Sequence, residues 1–296
     1  MQHSPYIEYC CQVLSAAAEE ESDLILVALI RLQALLEHTQ RTHLFRNSWR
    51  PEDPKAPVWM HVKLSQIELQ NYWNSLPSNI QQNRKHLNSF HLIKFCVAND
   101  LLAGLFLTSF YSAEVFMSEP SLQKSQFPTP SGVGTTQRLD MLWACLLSVK
   151  KLLDLFLSQD LSEYFSFCLV DLAHLGHSMS TLFKLSFVEE DGWELVTVRQ
   201  SANFISYFDQ LLGNFEQVGV TIDQSQRSPC KDSFPTGCAR AMKKVKSWYE
   251  AKIATESEQS GMQDQMNFMD FEHVFNYAYF SGPNWEELMA DGPVMQ

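Results

Sequence analysis

Two helical stretches bounded by prolines, between Ala56 and Pro120, constrain the fold of this chain most. The first, APVWMHVKLSQIELQNYWNSLP, has Pro57 at a helix start and Pro77 at its end. Between them an apolar stripe recurs at helical spacing, comprising Trp59, Val62, Leu69, Trp73 and Leu76. The second stretch runs from about residue 90 to residue 119 and stops at Pro120, because proline cannot continue the helical path. The pattern predicts two helices around a polar connector.

Helical spacing of apolar residues governs most of the remaining chain. Ser4 and Pro5 are typical of a helix start, and Asp23 and Thr136 are expected to cap later helices. Gly213 is expected to close a helix, since glycine favours helix ends. Further helices are expected over residues 6–18, 24–38, 137–158, 161–185, 197–214 and 238–255. The 24–38 stretch is apolar on nearly every side, which predicts a helix surrounded by others.

Polar stretches rich in Gln, Asn, Ser or Pro separate these helices. We expect loops over residues 41–55, 78–88, 126–135 and 220–237. One short strand-like run, from Glu194 to Val198, is interpreted as a helix start. The sequence shows no convincing alternation of period two and no internal repeat. It therefore predicts an all-α fold, an irregular multi-helix bundle of about eight or nine helices.

The charge balance argues against direct DNA binding by this chain. It has 34 acidic and 22 basic residues, a formal net charge of -12. A surface of that sign repels a phosphate backbone, so we expect contact with DNA only indirectly. Hydrophobic residues make up 45% and charged residues 19%, which is typical of a folded protein rather than a disordered one.

Neither a membrane span nor a secretion signal is expected. The most apolar stretch, from Leu92 to Phe110, is interrupted by Lys94, Asn99 and Asp100. The N-terminus lacks the basic start and clean apolar segment of a signal peptide, so the protein is expected to stay inside the cell. The seven cysteines are an odd number, and Cys96, Cys145 and Cys168 lie within apolar helical pattern. Such cysteines suit buried free thiols in a reducing compartment.

No motif for catalysis or nucleotide binding is complete. Gly176 to Ser180 comes within one residue of the nucleophile elbow G-x-S-x-G, but Ser178 lacks the preceding strand that this motif requires. Gly132 and Gly134 lie in a linker without the rest of a phosphate-binding loop. We therefore expect no enzymatic activity and no resident cofactor.

Metal ligation is not expected from these residues either. His174 and His177 are spaced to share a helix face, as are His38 and His43, but no carboxylate or cysteine is placed to complete a ligand set. The pairs Cys10 with Cys11 and Cys230 with Cys238 do not have zinc-knuckle spacing.

One dense group of basic residues stands out in the acidic chain: Arg240, Lys243, Lys244 and Lys246. Apolar residues alternate with them, so they fit a solvated helix face. The same residues are candidates for contact with nucleic acid or with an acidic partner. Both interpretations are open at this point.

The last segment, residues 262–296, contains no Lys or Arg and combines acidic with aromatic side chains. Such a segment can fold onto a coactivator groove through spaced apolar anchors, which makes it a candidate activation segment. The residues expected to contribute are Phe268, Phe271, Phe275, Tyr279, Phe280, Trp285, Glu286 and Glu287. The same composition also fits a terminal helix that packs on the protein's own body.

In this order, the helix pair with its ending SFYSAEVFMSEP, the N-terminal SPYIEYCCQVL and the final NWEELMAD resemble fungal-specific transcription factors of the zinc binuclear-cluster class. The resemblance implies a nuclear regulator of metabolic or secondary-metabolite biosynthetic genes. It implies an all-helical regulatory domain over residues 1–261, followed by the acidic-aromatic tail. The partners implied are transcriptional coactivators or other regulators, and a second copy of the chain.

The six-cysteine zinc cluster of that class, which begins C-x2-C-x6-C, does not occur in this sequence. Zinc is therefore expected only if such a cluster lies upstream. An alternative function is an α-helical module that senses a small molecule or binds proteins without acting directly in transcription. In that case some of the 20 Phe, 9 Tyr and 7 Trp would line a pocket between helices.

Overall fold

The protein was analysed as a computed structural model, which describes residues 4–48, 58–81, 97–123, 133–167, 169–225 and ten positions between 239 and 253. Over these residues the secondary structure is helical, with no strand. The prediction of an all-α fold of about eight or nine helices is confirmed. Among the described residues no helix has the length and apolar character needed to cross a membrane.

The helices follow one another with short connections. They are α1 (Pro5–Ala17), α2 (Glu21–Ser48), α3 (Val58–Ser75), α4 (Val97–Ser118), α5 (Val133–Leu157), α6 (Leu169–Leu185), α7 (Leu195–Ser201) and α8 (Phe204–Ser225). Single 3-10 turns lie at Glu119–Leu122 and Glu163–Ser166. Residues 78–81 and the described positions between 239 and 253 are also helical.

The chain divides into two compact units. Unit 1 comprises Met1–Leu155 together with Glu189–Trp193, and unit 2 comprises Phe156–Val188 together with Glu194–Gln296. A five-residue segment thus belongs to unit 1, although the chain on either side of it belongs to unit 2. We call this segment, residues 189–193, the strap.

The first four helices build most of unit 1, and their ends follow the sequence closely. Ser4 caps α1, because its hydroxyl accepts the amide of Ile7 at 3.3 Å. The predicted stripe of α3 faces the interior: Val62, Leu69, Trp73 and Leu76 are buried, and Trp59 packs against Val58, Val62 and Met141. The Trp73 ring lies 4.8 Å from that of Phe110 on α4. The predicted pair of helices is therefore a packed pair.

Several expectations for unit 1 are wrong. Residues 41–48 continue α2 instead of forming a loop, and Leu26 on the same helix is 46% exposed, so α2 is not covered on all sides. Asp23 lies inside the first turn of α2, where its carboxylate accepts the amide of Glu20 at 3.3 Å. Thr136 likewise lies inside α5, which is already helical at Val133.

Unit 2 departs from the sequence expectation in how its helices are divided. The predicted helix over 161–185 is split into the 3-10 turn at Glu163–Ser166 and α6. The predicted helix over 197–214 is also two helices, because Asn203 begins α8 by accepting the amide of Ser206 at 2.9 Å. Gly213 does not end α8, which continues to Ser225 and replaces the first part of the expected loop over 220–237. The run from Glu194 to Val198 is a helix start, as expected.

Candidate functional site

A buried ion pair fixes the strap in unit 1. The guanidinium of Arg138, on α5, contacts the carboxylate of Glu190, and their side chains are only 3% and 8% exposed. Arg138 also donates through Nε to the carbonyl of Ser121 at 2.9 Å and through Nη2 to that of Leu122 at 3.4 Å. Burial lowers the pKa of Arg138, and the charge of Glu190 opposes that shift. One side chain of α5 thus joins the strap to the turn after α4.

Two further contacts place the strap along α5. The rings of Trp193 and Trp143 lie 4.8 Å apart at an interplanar angle of 55°. Gly192 has a φ of +86°, which L-residues with side chains rarely adopt. A Cβ at Gly192 would also lie 3.0 Å from Cδ1 of Leu139. The strap therefore follows one face of α5 through Arg138, Leu139 and Trp143, and glycine is required at its fourth position.

The motif SFYSAEVFMSEP has a structural role at the same end of unit 1. Glu114 accepts the hydroxyl of Ser148 at 3.2 Å and the ammonium of Lys151 at 3.0 Å, and both donors lie on α5. The Lys151 ammonium also lies 5.8 Å from the Tyr111 ring centroid. Ser118 accepts from Gln66 of α3 at 3.0 Å and donates to the carbonyl of Glu114 at 2.9 Å. This motif links α4 to the helices on both sides of it.

The interior of unit 2 is an aromatic cluster, which we define as Phe183, Phe187, Phe204, Phe208 and Tyr249. The Phe204 and Tyr249 rings stack with centroids 4.3 Å apart, and Phe183 lies 5.6 Å from Tyr249. These rings contact one another as a packed core does, which is a simpler explanation for them than a ligand pocket.

An arginine closes the edge of the aromatic cluster. The guanidinium of Arg199, on α7, lies 5.0 Å from the Phe187 centroid. It also donates to the carbonyl of Ser186 through Nε at 3.0 Å and through Nη2 at 2.8 Å. Arg199 therefore ties α7 to the end of α6 through one main-chain oxygen.

Two of the four candidate basic residues lie in the described part of the chain, and both contact carboxylates of α8. Lys243 is 2.6 Å from Glu216, and Lys246 is 2.5 Å from Asp209. The hydrogen bond with Asp209 raises the pKa of Lys246. These pairs offset the positive charge that was expected to attract an acidic partner. Arg240 and Lys244 lie outside the described residues.

The candidate catalytic serine lies inside a helix. Ser178 is fully buried in α6, and its hydroxyl donates to the carbonyl of His174 at 2.6 Å. Burial lowers the pKa of His174 to about 4; Asp171 opposes this shift and His177 adds to it. No group of three or more His, Cys, Asp or Glu suited to a metal ion occurs among the described residues. This region has the geometry of a helix interior rather than of a nucleophile elbow.

Several other predicted residues cannot be placed. The candidate activation residues, which are Phe268, Phe271, Phe275, Tyr279, Phe280, Trp285, Glu286 and Glu287, all lie outside the described residues, as do Cys96, Cys168, Cys230 and Cys238. Cys145 is a buried free thiol, as expected.

The strap was missed in the sequence, although it carries two signals. Arg138 lies four residues before the buried Leu142, so that it interrupts the apolar face of α5. Asp191 and Gly192 form a typical turn dipeptide between two helices. Neither signal identifies the partner, because Glu190 is 52 positions from Arg138.

Comparison with known proteins adds a family context to this geometry. Over 258 residues, which is 87% of this chain, the sequence is 25% identical to a protein of Penicillium oxalicum named transcription factor opdL. Over 270 residues, 89% of this chain, it is 23% identical to a protein of Aspergillus terreus named transcription factor. The resemblance to fungal transcription factors is confirmed. Residues 161–289 also match a family model described as a C-terminal domain.

The chain spans about two fifths of the length of these fungal transcription factors, namely 41% and 42%. The C-terminal domain model begins at residue 161 and includes the strap. It does not include Arg138, the residue that holds the strap in place. No solved structure matches the chain.

Proposed function

We propose that this chain is the regulatory part of a fungal transcriptional regulator that acts through contacts with other proteins in the nucleus. The observation that carries the proposal is the similarity to two named fungal transcription factors over 87% and 89% of the chain. Those relatives are named for transcription, not for catalysis. Their match, together with the packed, helix-bound setting of Ser178, favours regulation over an enzymatic role.

Recognition of DNA bases is assigned to residues outside this chain. The net charge of -12 opposes binding to a phosphate backbone. Lys243 and Lys246, which were candidates for such binding, contact Glu216 and Asp209. We further propose that the genes controlled are metabolic or secondary-metabolite biosynthetic genes, in line with the family that the sequence resembles. Pairing with a second copy stays a prediction.

The acidic-aromatic tail is proposed as the activation segment. Residues 262–296 combine six carboxylates with aromatic side chains and contain no Lys or Arg. Carboxylates keep the aromatic side chains solvated and available to a coactivator groove. The family model reaches residue 289 and therefore includes most of this tail.

A reporter experiment tests the proposal. The full chain, and a version that ends at Gly261, are each fused to a heterologous DNA-binding domain beside a reporter gene in fungal cells. We expect strong activation by the full chain and at least about a tenfold loss on truncation, because the tail supplies the coactivator contact. The matched control keeps the tail and its acidic residues but replaces Phe271, Phe275 and Trp285 with Ala.

The control distinguishes the chemistry of the contact. If the alanine variant loses activation as the truncation does, the aromatic side chains are the anchors. If it activates as the full chain does, the proposed anchors are wrong. Equal reporter signals from the full chain and from the version ending at Gly261 would refute the tail as an activation segment.

A further inference from the structure

The strap connects the two units of the chain in an unusual way. The backbone passes from one unit to the other after Leu155, after Val188 and after Trp193. Both ends of the strap are therefore covalently continuous with unit 2, while its side chains pack in unit 1. Any movement of unit 2 residues on either side of the strap acts directly on five residues of unit 1.

The contacts that hold the strap favour two discrete states over a continuous range. Arg138 joins three main-chain or side-chain partners at one buried point: Glu190, Ser121 and Leu122. If the carboxylate of Glu190 moves away, the buried guanidinium keeps its charge without its counter-ion, which is strongly unfavourable. Partial displacement of the strap is therefore disfavoured relative to complete docking or complete release.

The remaining strap contacts are lost together with the ion pair. Trp193 contacts Trp143, and Gly192 lies against Leu139, so each contact depends on the strap following the same face of α5. The strap has no helical or strand hydrogen bonds of its own beyond the turn in which the Trp193 amide donates to the carbonyl of Glu190 at 3.0 Å. It is thus a short irregular segment held at three adjacent places.

We propose that the strap is a two-state coupling element: docked on α5 by the Arg138–Glu190 pair, it makes the two units respond as one, and released, it lets them respond separately. Release exposes the Trp143 ring and frees the turn at Glu119–Leu122. A binding event in unit 2 that pulls on residues beside the strap would change unit 1 by this route. The inference rests on contacts within unit 1 and does not depend on the proposed function.

Hydrogen exchange measured by mass spectrometry on the full chain tests the docked state. The variant is Glu190→Gln, which keeps the size of the side chain and removes its charge, and the matched control is Glu189→Gln, an exposed neighbour in the strap. We expect exchange in peptides that cover residues 189–193 and 119–122 to rise at least about tenfold in Glu190→Gln, with α8 unchanged. Glu189→Gln should match the original chain.

Differential scanning calorimetry tests the coupling. We expect one unfolding transition in the original chain and in Glu189→Gln, and two in Glu190→Gln. Two transitions in the original chain would overturn the proposal, and so would unchanged exchange of the strap in Glu190→Gln or a uniform rise over all helices. If Glu190→Gln does not fold, Gly192→Ala replaces it, since a Cβ there opposes docking without altering the charges. The same pattern supports the proposal in that variant, and its absence overturns it.

Discussion

The two units hold their irregular segments by opposite means. In unit 1 the strap is fixed by a buried charge pair and by main-chain carbonyls around Arg138. In unit 2 the segment around Phe187 and the helix that carries Tyr249 are fixed mainly by contacts between aromatic rings. A charge pair is directional and costly to leave incomplete, whereas ring contacts tolerate small changes of angle. Unit 1 should therefore respond sharply to single substitutions, and unit 2 gradually.

The largest expected effect comes from breaking the charge pair in unit 1. Arg138→Met leaves the Glu190 carboxylate and the carbonyls of Ser121 and Leu122 without their donor. We expect the free energy of unfolding to fall by about 3–5 kcal/mol, as for other buried pairs that lose one partner. Urea denaturation followed by circular dichroism measures the change.

The control for this prediction is an exposed ion pair of the same unit. Arg31 contacts Glu8 at 3.0 Å, but the two side chains are 40% and 35% exposed. Arg31→Met should cost no more than about 1 kcal/mol. Equal losses for the two variants would show that burial does not set the difference.

An intermediate effect is expected from His174, a polar residue in the largely aromatic unit 2. Its folded pKa of about 4 lies below the ordinary value of 6.5, because burial favours the neutral imidazole. The unfolded chain therefore binds more protons between these values, and stability is lost as the pH falls from 6.5 towards 4. The slope contributed by His174 is at most about 1.4 kcal/mol per pH unit.

Unfolding free energies measured by urea denaturation between pH 4.5 and pH 7 check this effect. We expect His174→Gln to flatten the acid side of the profile, while His177→Gln, on the same helix, keeps it. A profile that His174→Gln leaves unchanged would assign the acid sensitivity to other groups.

The smallest effect is expected in the aromatic cluster. Phe204→Leu removes one ring that contacts Phe183, Phe208 and Tyr249 but keeps an apolar side chain in its place. We expect a loss of about 1–2 kcal/mol, because each ring pair contributes about 0.5–1.5 kcal/mol beyond burial and the neighbours repack in part. Thermal unfolding of this variant should be compared with that of Val196→Ala, at an exposed position of α7.

A loss for Phe204→Leu as large as that for Arg138→Met would remove the proposed difference between the units. A melting temperature for Val196→Ala equal to that of the original chain is the expected baseline.

Helix type and core faces were predictable because they depend on local periodicity. The stripe of α3 and the cap of α1 were both identified from residues within one helix. The extension of α2 through residue 48 was missed because its surface is polar; Arg41 lies 3.8 Å from Glu37, one turn earlier, and such a pair supports an exposed helix. Polar composition alone was therefore a poor sign of a loop.

The division of α7 from α8 and the docking of the strap illustrate two different limits. Asn203 carries a recognisable capping signal that apolar periodicity obscured, since Val198, Ala202 and Phe204 are all buried on either side of it. The partner of Arg138 could not be read from the sequence at all, because the pairing is set by tertiary packing. The acidic-aromatic tail is supported by composition alone, and the reporter experiment addresses it directly.

The order in which the chain is synthesised gives the strap one more consequence. Arg138 leaves the ribosome before Glu190, and 52 positions separate the two residues. At about 5–20 residues per second, the arginine precedes its carboxylate by roughly 3–10 s during translation. Unit 1 therefore cannot complete its interior until the first helix of unit 2 has been made, so the nascent chain passes through an interval in which a cationic gap is open to chaperones.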